Sequence, residues 1–270
     1  MQSRESLDLM AGRCHHQTKG AFNFNSGRKA AKYDRSDKMS SKIIVSYDGT
    51  ANEDDAITLG RLLGGAGAQV ALAYVRHTHE PDSNRETLAQ AEAQELLDRG
   101  AQLLGDANAA RHVVTDRSTP EGLHALAEQE GAEVIVFCSD SHTAKGHVAV
   151  GNSAERLLEG GRTAIAIAPV DLGEQVAQGI RQIVAISDGD GGARETAESL
   201  AGALGASVGP VVNEQTDLLV IDSRPEAEAG RVALSSSAAH LIEIATCPVL
   251  VLPRGVALSF GARSVAGVVA

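Results

Sequence analysis

The sequence contains no tryptophan, and aromatic residues make up only 3% of its 270 residues. Surfaces that bind single-stranded nucleic acid depend on aromatic side chains that stack on bases, so this scarcity argues against that function. The three cysteines, Cys14, Cys138 and Cys247, are far apart and odd in number. They indicate neither a disulfide framework nor a zinc site, and they are typical of a protein in the reducing cytoplasm.

Long apolar runs are also missing. No stretch approaches the roughly 20 apolar residues that a membrane-spanning helix needs, so we expect a soluble, cytoplasmic protein. Residues 1–38 hold 8 Lys/Arg and 4 Asp/Glu, which leaves 16 Lys/Arg against 31 Asp/Glu for the rest of the chain. Such an acidic surface repels nucleic acid and anionic membrane, and we predict neither as a partner.

The first 39 residues differ from the rest in composition. They are rich in Ser, Asn, Lys and Arg and show no hydrophobic periodicity, which predicts a disordered N-terminal tail. Met39 stands directly before the first predicted strand, so the residues upstream of it are interpreted as a start-site extension that the fold does not need.

Apolar runs of strand length alternate with helical patterns from residue 40 onward. This alternation predicts an α/β fold with a doubly wound parallel sheet. The predicted strands are Lys42–Tyr47, Val70–Val75, His112–Thr115, Glu133–Cys138 and Thr163–Ala168, and the predicted helices cover 52–65, 86–104, 119–130 and 152–159.

The chain then repeats itself in part. Arg181–Ser187 followed by Asp188-Gly189 mirrors the first strand and its Asp48-Gly49, and Pro248–Leu252 mirrors the fifth strand. The second copy is shorter by about one helix–strand–helix section. We therefore predict a full domain at 40–170, a truncated one at 180–254 and a C-terminal tail at 255–270.

Ser207–Val212 is a candidate second strand of the shorter copy. Only a few residues separate it from the strand beginning near Asp217, whereas parallel neighbours need a crossover of about a dozen residues or more. We predict that this segment is a loop or at most a very short edge strand.

Asp48-Gly49-Thr50 follows the first predicted strand. Ligands of open α/β sheets bind outside the carboxyl ends of the strands, and an aspartate there can accept hydrogen bonds from a ribose or a base amine. The alternative is a helix cap, because Asp and Asn also satisfy the unpaired amides of a helix start.

The loop from Cys138 to Ser153 leaves the fourth strand and enters a helix at Gly151-Asn152. Backbone amides that lead into a helix can cradle an anion, to which His142 and Lys145 could add positive charge. The alternative is a capping box made by Asn152 and a glutamate three residues later.

Other candidates have simpler explanations. His77 and His79 are interpreted as solvated rather than as metal ligands, and no metal site is predicted. Asp54 and Asp55 are interpreted as a solvated first helical turn. Cys138 is interpreted as a buried cysteine at a strand end rather than a reactive thiol.

These motifs together resemble the universal stress proteins. The resemblance rests on strand one with Asp48-Gly49-Thr50, on the run 119–132, on Gly151-Asn152-Ser153-Ala154-Glu155-Arg156-Leu157-Leu158 and on Cys247-Pro248-Val249-Leu250-Val251-Leu252. It implies a five-stranded sheet of order 3-2-1-4-5 and pairing through strand five, here between the two repeats as an intrachain pseudo-dimer, with a further homodimer possible.

The resemblance also implies a ligand. ATP-binding members carry G-x2-G-x9-G-[ST] after strand four, and the four motif positions fall here at Cys138, Ser141, Gly151 and Asn152. Val75 falls near the position whose backbone meets adenine. The nucleotide-binding residues implied are thus Asp48, Gly49, Thr50, Val75, Cys138, Ser141, Gly151, Asn152 and Ser153. The corresponding loop of the second copy carries Asp222, Pro225, Ser235 and Ser236, and we predict that this copy binds no nucleotide.

The expected function is a module of the stress response that binds ATP, ADP or AMP, with Mg²⁺ accompanying ATP. The alternative is a scaffold or adaptor whose ligand cleft is degenerate and filled by side chains. Enzymatic activity is not expected, because no clear base, metal pair or arginine clamp is present. A phosphoreceiver domain is rejected because a single acid, Asp48, follows strand one and Pro169-Val170 follows strand five.

Overall fold

Strands and helices alternate regularly in the computed structural model, which describes residues 41–50, 52–140, 142–175, 179–187 and 190–261. The first part contains β1 (Lys42–Ser46), α1 (Glu53–Gly65), β2 (Gln69–Arg76), α2 (Ser83–Leu104), β3 (Ala110–Thr115), α3 (Thr119–Glu130), β4 (Val134–Cys138), α4 (Asn152–Leu158) and β5 (Ala164–Ala168). The predicted elements of residues 40–170 are confirmed to within a few residues at their ends. The predicted N-terminal tail lies outside the described residues.

The second part contains α5 (Leu172–Gln175), β6 (Gln182–Ile186), α6 (Gly192–Leu204), β7 (Ser207–Gly209), β8 (Leu218–Asp222), α7 (Ser236–Glu243) and β9 (Val249–Leu252). The predicted second strand is confirmed as a short edge strand, because β7 has three residues and pairs only at Gln182 to Val184. Because β7 and β8 both lie parallel to β6, the connection between them must return along the length of β7. Since β7 is so short, the eight residues 210–217 can cover that distance.

All nine strands of the described residues form one sheet in the order β3-β2-β1-β4-β5-β9-β8-β6-β7. The order 3-2-1-4-5 predicted for the first part is confirmed. Every pair is parallel except β5 with β9, which run antiparallel with Ile165 opposite Val251 and Ala166 opposite Leu250. The second part therefore joins the first through strand five, as the resemblance implied.

Both faces of the sheet are covered by helices. In β1, Ile43 and Val45 pack into the cluster that contains α1, α2 and α6, whereas Ile44 packs into the cluster of α3, α4 and α7. This alternation explains the continuous apolar sequence of the strand, since a parallel strand buried on both faces has no polar side. Each fully buried Ile or Leu side chain contributes about 1.5–3 kcal/mol relative to exposure.

The loops after β4 and β8 are held by the same hydrogen bonds. The hydroxyl of Ser139 donates to the carbonyl of Ala168 at 2.6 Å and accepts from an amide ten residues later at 3.1 Å. The hydroxyl of Ser223, 84 positions further on, donates to the carbonyl of Leu252 at 2.7 Å and accepts from an amide ten residues later at 3.0 Å. The loops that follow β4 and β8 are thus fixed to the sheet by equivalent hydrogen bonds.

The chain continues to pack beyond β9. Leu258 and Phe260 are buried, and their amides donate to the hydroxyls of Thr196 and Ser199 on α6 at 2.9 and 2.8 Å. Residues 255–261, placed in the predicted C-terminal tail, therefore cover one face of α6. The remaining residues of that tail lie outside the described part of the chain.

Candidate functional site

A cavity of about 440 Å³ opens at the carboxyl ends of β1, β2 and β4, beside the start of α4. This volume falls within the roughly 300–1,000 Å³ typical of small-molecule sites. Its lining consists of Ser46, Tyr47, Asp48, Thr50, Asn52, Glu53, Tyr74, Val75, His77, Thr119, Phe137, Cys138, Ser139, Asp140, Gly151, Asn152, Ser153 and Ala154. The cavity lies where ligands of open α/β sheets bind.

Seven of the nine residues predicted for the site line this cavity: Asp48, Thr50, Val75, Cys138, Gly151, Asn152 and Ser153. Gly49 does not line it. Its backbone has φ +81°, a conformation that favours glycine, and its amide donates to the carboxyl group of Glu53 at 2.9 Å. Ser141 lies outside the described residues.

Asp48 makes a tight turn instead of capping a helix. Its Oδ1 accepts the amide of Thr50 at 3.0 Å, and the N-cap of α1 is Asn52, which has no side-chain cap. The capping alternative for Asp48 is therefore wrong. Asp48 is exposed at the cavity, and its carboxylate also takes part in a side-chain hydrogen bond with Glu53.

Glu53 is the residue of this site that the sequence reading missed. Its Oε2 accepts the amides of Asp48 and Gly49, and only 7% of the residue is exposed. Burial, followed by a side-chain hydrogen bond and charge repulsion from Asp48, raises the pKa of Glu53 to about 9. At neutral pH Glu53 is therefore a protonated carboxylic acid. A glutamate five residues after a strand-end aspartate, in the first helical turn, was the available signal.

The loop after β4 ends with Gly151 as the N-cap of α4 and Asn152 as its first residue. No side-chain cap is made, so the capping-box alternative for Asn152 is wrong as well. A Cβ at Gly151 would meet no atom within 4 Å, and its φ of −76° suits any residue. Glycine is therefore not demanded by the backbone here, and its effect is to leave space in the cavity wall.

Cys138 lies at the end of β4. Burial, together with the nearby carboxyl groups of Glu53 and Asp48, raises the pKa of its thiol to about 12. The thiol is thus neutral and poorly nucleophilic, although Cys138 is half-buried and lines the cavity, and is not buried as the sequence predicted.

The charge of the cavity is one-sided. Three acidic side chains line it, Asp48, Glu53 and Asp140, and its described lining includes no Lys or Arg. His142 and Lys145, predicted to add positive charge, are not among the lining residues. Lys145 instead forms an ion pair with Asp171 at 2.5 Å.

One other sequence interpretation, that of Asp55, needs correction. Asp55 is buried and not solvated: its carboxylate accepts the amides of Asp171 and Gly173, at 2.8 and 3.4 Å, and so links α1 to the segment after β5. Burial raises its pKa. His77, although exposed, lines the cavity, whereas His79 does not. Across the described residues, no group of three or more His, Cys, Asp or Glu side chains could hold a metal ion.

The corresponding end of β8 is occupied by its own side chain. Asp222 is 4% exposed, and its Oδ1 accepts the amide of Ala193 in the first turn of α6 at 2.6 Å. Its Oδ2 accepts the hydroxyl of Ser187 at 2.7 Å. Ser235 is the N-cap of α7 and accepts the amide of Ala238 at 3.1 Å. The predicted correspondence of Asp222 with the cavity residue Cys138 thus places a carboxylate where the first part has a thiol.

A larger cavity of about 1,210 Å³ lies between the loop that follows β4, with α4, and the loop that follows β8, with α7. Its lining includes the apolar side chains of Val148, Leu158, Val232 and Ile242. The smaller cavity is the better candidate, because its polar side chains converge at the strand ends.

The fold is that of a doubly wound α/β protein with a cavity at the carboxyl ends of its strands. Residues 39–169 match the Universal stress protein family. Over these residues the resemblance read from the sequence is confirmed, whereas the shortened second repeat stays a prediction.

Solved structures share the fold. A universal stress protein from Archaeoglobus fulgidus DSM 4304 is 15% identical, and the alignment covers 80% of this chain and 99% of that one with a TM-score of 0.61. A protein assigned to the same family from Pseudomonas aeruginosa UCBPP-PA14 is 14% identical, with 79% and 93% covered and a TM-score of 0.53. Both likenesses extend beyond the family match, to about four fifths of the chain.

A universal stress protein solved in complex with cAMP aligns with 36% of this chain and 75% of its own, at 18% identity and a TM-score of 0.29. That overlap carries no argument about a ligand here. Comparison with curated proteins gives no match. No described helix is both long and apolar enough to cross a membrane.

Proposed function

We propose that residues 40–170 bind an adenine nucleotide, one of ATP, ADP or AMP, in the strand-end cavity, and that the protein acts as a binding module of the stress response. The observation that carries this proposal is the cavity itself: an open space of nucleotide-compatible size is lined by seven of the residues predicted from the sequence. A cleft filled by side chains, which the scaffold alternative requires, does not fit that space.

The chain offers suitable partners for each part of such a ligand. Asp48 supplies carboxylate oxygens for ribose hydroxyls, while the backbone of Val75 can meet the edge of adenine. The side chains of Asn152 and Ser153 also line the cavity and supply hydrogen-bond donors. At Gly151 the missing Cβ leaves the space through which a ligand can approach the backbone closely.

Binding fits the site better than catalysis. The Cys138 thiol is neutral, and Glu53 uses its carboxyl group on two backbone amides and on Asp48. Neither group is poised to attack or to deprotonate a substrate. We therefore propose a role in which occupancy by the nucleotide, and not its turnover, is the output.

We further propose that residues 180–254 form a shortened second repeat that binds no nucleotide and serves as a built-in partner of the first. Matching hydrogen bonds of the loops after β4 and β8, and the antiparallel pairing of β5 with β9, support this interpretation. The hydrogen-bonded carboxylate of Asp222 supports the loss of the second site.

Calorimetric titration with AMP tests the proposal. The full chain is expected to bind AMP, and Gly151→Val is expected to weaken binding at least about tenfold by filling the cavity wall. Gly202→Val is the matched control, because a Cβ at Gly202 also meets no atom within 4 Å but lies on α6, away from the cavity. Absence of binding at millimolar AMP, or equal loss in both variants, would contradict the proposal.

A further inference from the structure

We infer that the strand-end cavity selects an adenine nucleoside with at most one phosphate and discriminates against ATP. This inference rests on the proposed function and narrows it. It follows from two features of this chain, the charge of the cavity and the use of backbone amides by Glu53.

The first feature is the charge of the lining. A triphosphate is normally bound by Arg or Lys side chains, by several backbone amides or by a coordinated metal ion. The described lining includes no Lys or Arg, and its only group that can become cationic is His77. Asp48 and Asp140 line the same space and repel a polyanion. Each added phosphate therefore meets more repulsion than attraction.

The second feature concerns the amides at the end of β1. The N–H groups of Asp48 and Gly49 both donate to Oε2 of Glu53. These donors are therefore already satisfied within the chain and are not offered to a phosphate. Helix α4, with seven residues, is too short to replace them by a strong helix dipole.

The nucleoside part meets a better environment. Tyr74, Val75 and Phe137 line the cavity and provide apolar and aromatic contact for a base. The Asp48 carboxylate suits hydroxyl donors of a ribose, for which negative charge is an advantage. The same cavity is thus complementary to adenosine and unfavourable to a triphosphate tail.

Substitution of Asp140 tests whether negative charge in the cavity lining disfavours ATP. Its Oδ1 accepts the amide of His142 at 3.0 Å, and asparagine keeps that acceptor while removing the charge. Asp116 makes the equivalent bond to the amide of Ser118 at 2.9 Å, outside the cavity lining. Asp116→Asn is therefore the matched control for Asp140→Asn.

The experiment is a set of calorimetric titrations of the full chain with adenosine, AMP and ATP, the last both without and with Mg²⁺. Adenosine and AMP are expected to bind at least about tenfold more tightly than either form of ATP. Asp140→Asn is expected to reduce the ratio of adenosine affinity to ATP affinity about threefold or more, whereas Asp116→Asn leaves this ratio as it is.

The outcomes separate this inference from the proposed function. If ATP, with or without Mg²⁺, binds as tightly as adenosine, the selectivity is refuted while adenine-nucleotide binding stands. If Asp140→Asn leaves the ratio of adenosine affinity to ATP affinity unchanged, the charge of Asp140 is not the cause of the selectivity. If none of the ligands binds, the proposed function fails, and the inference fails with it.

Discussion

The ends of β4 and β8 are built on the same frame and differ in what fills them. Ser139 and Ser223 fix the two following loops through matching hydrogen bonds. At the residue before each serine, the first part has the neutral thiol of Cys138 and an open cavity. The second part has the carboxylate of Asp222, bonded to the first turn of α6. The carboxylate of Asp222 thus ties the end of β8 to α6, whereas the thiol of Cys138 lines an open cavity.

The C-terminal segment adds to this difference. The backbone at Val256 lies so close to Gly192 that a Cβ there would stand 2.4 Å from the Val256 carbonyl oxygen. Leu258 and Phe260 then continue along α6. In the second part, the end of β8 and the start of α6 are therefore packed against other parts of the chain. In the first part, Asp48 and Gly151 line an open cavity.

The largest expected effect is at the packed end. Leu258 is 2% exposed, so Leu258→Ala leaves a cavity against α6 and should lower the free energy of unfolding by about 2–5 kcal/mol. Urea denaturation followed by circular dichroism measures this change in the free energy of unfolding. A loss under about 1 kcal/mol would mean that this segment is not part of the folded core.

Asp222→Ala removes an acceptor used by the amide of Ala193 and the hydroxyl of Ser187. Because buried hydrogen bonds to a charged group contribute about 1.5–3 kcal/mol, we expect a destabilisation of that order. Asp48→Ala is the comparison at the open end. Asp48 is exposed, so its hydrogen bonds with the Thr50 amide and the Glu53 side chain compete with water, and the loss there should stay below about 1 kcal/mol. Equal losses of stability in Asp222→Ala and Asp48→Ala would contradict the distinction between the packed end of β8 and the open cavity.

A smaller effect, dependent on pH, is expected at Glu53. Its pKa is about 9 in the folded protein against a usual 4.5, so the folded state keeps a proton that the unfolded chain releases above pH 4.5. Its contribution to stability therefore declines as the pH rises from about 4.5 to about 9. Glu53→Gln keeps an acceptor for both amides and a donor to Asp48, and should stabilise the protein by on the order of 2 kcal/mol at pH 8 but little at pH 4.

Denaturation of both proteins at several pH values measures this difference. Glu155→Gln, which removes an exposed carboxylate on α4, is the control and should show no comparable trend. A difference between Glu53→Gln and the parent protein that stays constant from pH 4 to pH 8 would show that Glu53 is ionised in the folded state.

Local pattern was sufficient to predict most of the fold. The apolar run of β1 and the proline near the start of α3 are signals that depend on a few neighbouring residues, and the short β7 followed from chain length alone. The pairing of β5 with β9 needed the family resemblance, because no residue of either strand encodes its partner.

The site was predictable only in part. Asp48 and Gly151 stand out by type and position, whereas the role of Glu53 depends on a turn that carries its carboxyl group back to the loop amides. Asp55 was misread for a related reason: its partners at Asp171 and Gly173 are more than a hundred residues away. Burial of an acid is decided by such distant contacts, and composition of the first helical turn does not show them.

The most direct test of the central claim is to observe which strand end takes the ligand. Adenosine added to the ¹⁵N-labelled full chain should shift the amide resonances of Thr50, Val75 and Gly151 in two-dimensional NMR spectra, and leave those of Ser223 and Ser235 in place. Shifts centred on Ser223 and Ser235, or no shift at millimolar adenosine, would contradict the assignment of the binding site to the first part of the chain.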